Sequence, residues 1–374
     1  MKVRVTKIAA ILVPLSFLAI ANAFAVEASP DLLNAKKEAE TKGYLFESNH
    51  EEIVAKAKQE GRKLRVLSGL DRETFPDMVK LFKQKYPFLD VYIQETTGSD
   101  AAQKFIMKMK TTGHTDWDAV HVNTDFITEF PAYMKRFDIF GMAKYRVLNI
   151  PVKMIDAQNR NLMAVGTAFQ AIAYNKNLIP PDMVPNTWED FLKPELKGRK
   201  FIVDLRPWGF PSLIPLMGEE WVSNYSKKLA AQEPIWSRGM SRDLTAMTAG
   251  EYALHSGANY HSIMTVKRKD PTGSLVEKII EPVPARLIDP NAVINTAPHP
   301  YSGLLWIEHL ASPEAQRIID EHEPGKASVY LPGSNNETVL RGKKLSVVEW
   351  DSFAKMPQWM KMIVTAWGFP RAEK

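Results

Sequence analysis

From Glu51 to Thr97 the chain alternates a polar helix, a hydrophobic strand, a short turn, an amphipathic helix and a second strand, with almost no linker between them. That opening constrains the fold more than any other segment, because strands that each feed a helix N-terminus build an open parallel sheet. EEIVAKAKQEGRK reads as the first helix, with Ile53, Val54 and Ala57 inward and Gly61 as its stop. Leu64 to Leu67 follow as a buried strand. Ser68, Gly69, Leu70 and Asp71 then turn into a helix whose apolar residues Phe75, Met78, Val79, Phe82 and Tyr86 recur at helical spacing until Pro87. Val91 and Ile93 form the next strand. Gly98, Ser99 and Asp100 lead into a helix with Ala102, Phe105, Ile106 and Met109 on one face, and Asp100 with Gln103 reads as a capping box. Ala119, Val120 and Val122 make a third short strand that ends at Asn123, Thr124 and Asp125. In a parallel sheet these strand exits share one edge, where helix N-termini attract anionic or hydrogen-bonding ligands. Ordinary strand-to-helix turns leave the same pattern, so both readings stand on these residues alone.

EEIVAKAKQEGRKLRVLSG and FPDMVKLFKQKYPFLDV resemble the mature start of family 1 extracellular solute-binding proteins of ABC importers, the iron- and thiamine-binding-protein-like group. DWDAVHVN from Asp116, AVGTAFQAIAYNKNLIP from Ala164 and INTAPHPYSGLLWIEHLASPEAQRIID from Ile294 are similar to the same family, so the resemblance spans roughly 51 to 341. It implies an α/β, two-lobed type II periplasmic binding protein fold. Each lobe is then an open, mainly parallel sheet flanked by helices, and a hinge closes the interlobe cleft on a solute for delivery to a membrane permease. The length of 374 residues suits two lobes, since a single core seldom organises so long a chain. The expected division is a signal peptide at 1–25, an N-terminal extension and first helix at 26–61, one lobe at 62–165 plus 284–346, the other at 166–283, and a C-terminal helical tail at 347–374. Trp350, Trp359 and Trp367 mark that tail as packed back on a lobe.

Lys2, Arg4 and Lys7, the apolar run Ile8 to Ala21 and the small-residue sites Ala21-Asn22-Ala23 or Ala23-Phe24-Ala25 have the layout of an export signal. Cutting before Val26 leaves 45 basic against 43 acidic residues, so the formal charge of +5 falls to +2. No clustered basic face calls for nucleic acid. Cysteine is absent, which removes disulfides, thiolate metal sites and the cysteine of a lipoprotein anchor. The expected product is a free periplasmic monomer with no cofactor, its partners being a small-molecule solute and an ABC permease.

Further along, Met163 to Tyr174 reads as an extended crossing interrupted by Gly166 and Thr167, and Val283 to Leu287 as a strand returning. Gly166 and the stretch 281–284 are the expected hinges. Residues 137–163 show weak periodicity and read as surface connections with a short helix. Thr187 reads as the N-cap of a helix to Leu192. The strand Phe201 to Asp204 exits through Leu205-Arg206-Pro207-Trp208-Gly209, and Gly257-Ala258-Asn259-Tyr260-His261 leads into a helix. Arg206 suits bidentate contact with a carboxylate or phosphonate, while Trp208 and Tyr260 offer flat walls. The expected ligand set is therefore Ser68, Asp71, Gly98, Ser99, Asn123, Asp125, Thr167, Arg206, Trp208, Asn259, Tyr260 and His261, gripping a small anionic or zwitterionic organic solute.

The ferric-binding relatives within the resembling group carry adjacent tyrosines where this chain has Tyr260-His261. A ferric site built from Tyr260, His261, Asp71 and Asp125 is the alternative, weakened by the missing second phenolate. A secreted hydrolase or lyase with His261 or His121 as base, beside Asp71 or Asp125, is a further one. The G-x-S-x-G, H-E-x-x-H, Walker A and strand-linked G-x-G-x-x-G patterns are all absent, so a non-enzymatic role is expected. His50, His309 and His322 read as solvated or capping residues of helices, His114 as a turn residue, His299 as part of a rigid connection and His121 as packed.

Overall fold

The computed structural model describes residues 29–96 and 98–369. The export signal read at 1–25 lies outside these residues, as does the side chain of Asp125. The strands are β1 (Lys63–Ser68), β2 (Asp90–Glu95), β3 (Ala119–His121), β4 (Met163–Asn175), β5 (Ile202–Asp204), β6 (Ile235–Ser237), β7 (Leu254–Asn259), β8 (Leu275–Lys278), β9 (Val283–Val293) and β10 (Leu345–Val348). They run in the order β2-β1-β3-β9-β4-β7-β5-β6, with β10 beside β9 and β8 beside β4. β1 is parallel to β2 and β3 in the first half, and β5 is parallel to β6 and β7 in the second. The two halves are the lobes of a type II periplasmic binding protein fold.

Two long strands cross between them. β4 pairs antiparallel with β9 from Met163 to Phe169, then with β7 and β8 from Gln170 to Asn175. The partner exchange between Phe169 and Gln170 gives one strand membership of both lobes. Gly166 lies on this strand because a Cβ there would stand 1.9 Å from the carbonyl oxygen of Lys326, an oxygen that accepts the Thr167 N–H at 3.1 Å.

The core of the first lobe follows from helical spacing. In the helix Phe75–Lys85, Met78 and Phe82 stand four residues apart, on one face, and both are buried. Phe82 meets Trp306 edge-on at 5.1 Å, the arrangement that aromatic quadrupoles favour. A second core gathers Trp188, Phe191, Val203, Tyr225 and Leu254, and a third gathers Phe169, Ile202, Met247, Tyr260 and Ile263. The C-terminal helix Met356–Ala366 joins the second of these through Trp359 and Ile363, with Trp367 just past its end.

Several expectations need correction. Residues 137–163 are not surface connections: Phe137, Ile139, Met142, Leu148, Ile150, Met154 and Ile155 are buried in the first core. Their spacing is irregular because a short helix, Ile139–Lys144, gives way to turns that still present apolar side chains inward. The helix after β2 starts at Ser99, not after Asp100; Gly98, at φ 82°, is its N-cap and no side chain caps it, so the capping box is not formed. Thr187 does accept the Asp190 N–H at 3.2 Å, but only a 3-10 turn, Glu189–Leu192, follows. His309 is buried, with Nε2 donating to the Met78 carbonyl at 3.3 Å, because its helix Pro300–Leu310 is enclosed on nearly every side. The strand sketched at 283–287 continues through to Val293.

Candidate functional site

Loops leaving the parallel strands of the two lobes converge on the crossing strands. At the β1 exit, Ser68 Oγ accepts the Leu70 N–H at 3.2 Å, which folds the turn back on itself. Gly69 leaves room for the imidazole of His121, since a Cβ there would come within 2.6 Å of its Nδ1. In the second lobe, Gly209 makes the equivalent allowance for the side chain of Gln170, 2.4 Å from where a Cβ would be. Gln170 in turn donates to Asn259 Oδ1 at 2.7 Å. The β5 and β7 exits are thereby tied to the crossing strand.

The floor is an ionic cluster centred on Lys326. Its ammonium lies 2.5 Å from Glu323 Oε2 and 3.6 Å from Asp71 Oδ1. Burial opposes its charge, but Asp289, Glu323 and Asp71 outweigh that and raise its pKa above the ordinary lysine value. Glu323 has a fully buried side chain and accepts from the Asp71 N–H at 2.9 Å and the Thr74 hydroxyl at 2.6 Å. Asp289 is 3.9 Å from His121 Nδ1. His121 is held neutral by burial, with Lys326 adding to the effect. Across the gap, His261 donates from Nδ1 to the Pro324 carbonyl at 2.9 Å, and burial followed by Lys326 lowers its pKa as well. With both imidazoles neutral, three carboxylates face one ammonium, so the floor is acidic overall.

A second group sits at the β5 exit. The Arg286 guanidinium lies over the Trp208 indole, 4.9 Å from the ring centroid, and its Nη1 is 3.5 Å from the Trp208 carbonyl oxygen. Both line a pocket shared with Thr124 from the first lobe and with Phe353, Met356 and Met360. Arg206 stands nearby in sequence with its side chain 45 % exposed and Nε 3.7 Å from Asp204 Oδ1.

Of the residues expected at the site, Asp71 and His261 meet around Lys326, and Trp208 faces the pocket with Thr124, next to Asn123. Thr167 does not line the cleft: it is fully buried, its hydroxyl accepts the Val329 N–H and its carbonyl accepts from Asn336. Tyr260 is stacked on Phe169 at 4.5 Å within the third core, and burial, then Glu277, keeps its phenol protonated. Gly98 and Ser99 open a helix behind β2, the edge strand furthest from β9 in the first lobe. Among the described residues no three His, Asp or Glu side chains are grouped to hold a metal ion. Sequence reasoning missed Lys326, Glu323, Asp289, Gln170 and Arg286. Only Glu323-Pro324-Gly325-Lys326, a charged turn directly after the strongly amphipathic helix Pro313–His322, carried a local signal.

Solved structures share this architecture. The ferric iron-binding protein A of Mannheimia haemolytica, in an open conformation, superposes with a TM-score of 0.64 at 16% identity, covering 82% of this chain and 100% of its own. A Trichodesmium protein in complex with iron and citrate ligands gives 0.61 at 18% identity, over 81% and 99%. The substrate-binding protein of an ABC transporter from Agrobacterium tumefaciens gives 0.58 at 17% identity, over 81% and 96%. At such identities the likeness establishes the fold. No curated protein matches the sequence. Residues 133–356, more than half of the chain, match the bacterial extracellular solute-binding protein family, and the chain belongs to that family.

Proposed function

We propose that this protein is the periplasmic receptor of an ABC importer and that its cleft takes a small organic solute bearing a carboxylate or phosphonate, with or without a cationic group. The observation that carries this reading is the Arg286–Trp208 pair, a guanidinium laid over an aromatic face at the wall of an interlobe pocket. A guanidinium held flat on an aromatic face presents its donors to a carboxylate or phosphonate through charge and paired hydrogen bonds. The acidic floor around Lys326 suits a cationic group at the solute's other end. Binding across the gap favours closure about the two crossing strands, with 62–165 plus 284–346 moving against 166–283. The closed form is then what the permease receives.

Ferric iron is the second reading, and the solved relatives, ferric iron-binding proteins among them, speak for it more than for an organic acid. Against it, Tyr260 is packed on Phe169, and Asp71 is paired with Lys326. One titration separates the two. The purified protein is melted with carboxylates, phosphonates, zwitterions, ferric citrate, thiamine or polyamines, and a ligand at a hundred times its Kd stabilises by about 2.7 kcal/mol. A shift with organic acids alone supports the first reading. A shift with ferric citrate but not with citrate, accompanied by a visible charge-transfer band, replaces it with the second.

A further inference from the structure

The C-terminal segment, beyond the last strand, touches both lobes. Trp350 packs against the first-lobe clusters that contain Val120, Val122, Ala164 and Leu287, and Phe353 is buried with the last two. Three residues later the chain enters the other lobe, where Met356, Trp359, Ile363 and Trp367 share a core with Trp188 and Phe210. Polar contacts fix both ends. Tyr330 donates its hydroxyl to Glu349 at 2.7 Å, and Trp359 donates its indole N–H to Glu219 at 2.8 Å. Between these anchors, Phe353, Met356 and Met360 line the same pocket as Arg286, Trp208 and Thr124.

We infer that this segment is a wall of the solute pocket and selects solutes whose acid group carries a flat apolar body. The inference rests on the proposed anionic solute and narrows it. The pocket lining includes the guanidinium of Arg286, laid over the Trp208 indole. The C-terminal segment contributes only apolar side chains to it, two of them methionines, whose unbranched thioethers adapt to the outline of a ring. An acid with no body leaves those side chains facing water, while an aryl acid covers them. Because the segment is anchored in both lobes, it stays against the pocket as the lobes move.

The test measures binding by calorimetry to the full chain, using benzoate and phenylphosphonate against acetate and methylphosphonate. The wild type is expected to bind each aryl acid at least tenfold more tightly than its methyl counterpart. Met360→Glu, at a partly buried position, should leave the melting temperature of the unliganded protein within about 2 °C of wild type and erase the aryl preference. Met360→Leu should retain it. Equal binding of aryl and methyl acids by the wild type overturns the wall while leaving the anionic reading intact, as does an aryl preference that survives Met360→Glu. Failure of all four acids beside a response to ferric citrate overturns the anionic reading itself and this inference with it.

Discussion

Replacing Lys326 with methionine keeps the length of the side chain and deletes the charge, which tests whether the ionic floor is as tightly coupled as it looks. The ammonium is 2.5 Å from a glutamate whose side chain is fully buried, and its own side chain is 19 % exposed. Removing one partner of a buried ion pair costs roughly 3–5 kcal/mol, because the remaining charge is left uncompensated. Glu323 keeps its hydrogen bonds from Asp71 and Thr74, which places the expected loss at the lower end, about 3 kcal/mol. At about 1–1.5 °C per kcal/mol for a chain of this size, the melting temperature should drop by roughly 3–5 °C. The pH dependence supplies the sharper check. Lys326 has a folded pKa above its unfolded value of 10.5, so its contribution is complete below that pH and disappears only as the pH rises through the folded value. The deficit should therefore be the same at pH 7.5 and pH 9 and shrink only above 10.5, followed by circular dichroism melts in matched buffers. A deficit below about 1 kcal/mol, or one that already changes between pH 7.5 and pH 9, would refute the coupling and mean that the lysine is effectively solvated.

Gly166→Ala drives a methyl group into the Lys326 carbonyl and should cost about 3 kcal/mol or more in urea unfolding, whereas Gly303→Ala, whose nearest neighbours lie 3.3 Å away, should cost less than about 1 kcal/mol. Asn336 is fully buried and its amide donates to the carbonyls of Thr167, Gly325 and Ala327, so Asn336→Ala should lose about 2–3 kcal/mol by the same measurement. His255 and His309 are both pushed down to about 4 by burial. A lowered histidine pKa stabilises the fold fully above the unfolded value near 6.5, and that contribution is lost as the pH falls, completely so once it passes about 4. The thermal stability should therefore decline through the window from 6.5 to 4, and a flat profile there would contradict the burial of the two rings.

Much of the architecture was legible because it is written in local periods. The helix Phe75–Lys85 and the β1–β2 pair came from spacing that any amphipathic helix or buried strand must show, and the long crossing at Met163–Asn175 from an apolar run interrupted at Gly166 and Thr167. The expected site was less legible. Asp71 and His261 lie 190 positions apart and become neighbours only through Lys326, which no motif marks. Thr167 looked accessible because a threonine after a glycine interrupts an apolar run, yet that polarity serves hydrogen bonds inside the crossing. Tyr260 opens a helix, where a tyrosine reads as a binding residue; its stacking on Phe169 depends on two strands that the sequence does not show as adjacent. His309 failed for the converse reason. Helices buried on every side carry no polar stripe to say which way a histidine points.

The exchange of partners within β4 bears on how the molecule comes apart. Seven residues of the strand complete one ladder and the next six complete another, with no loop between to act as a fuse. If either lobe melted alone, it would strip an edge from its neighbour and leave backbone amides there without acceptors. Heating should accordingly take both lobes down in a single cooperative step.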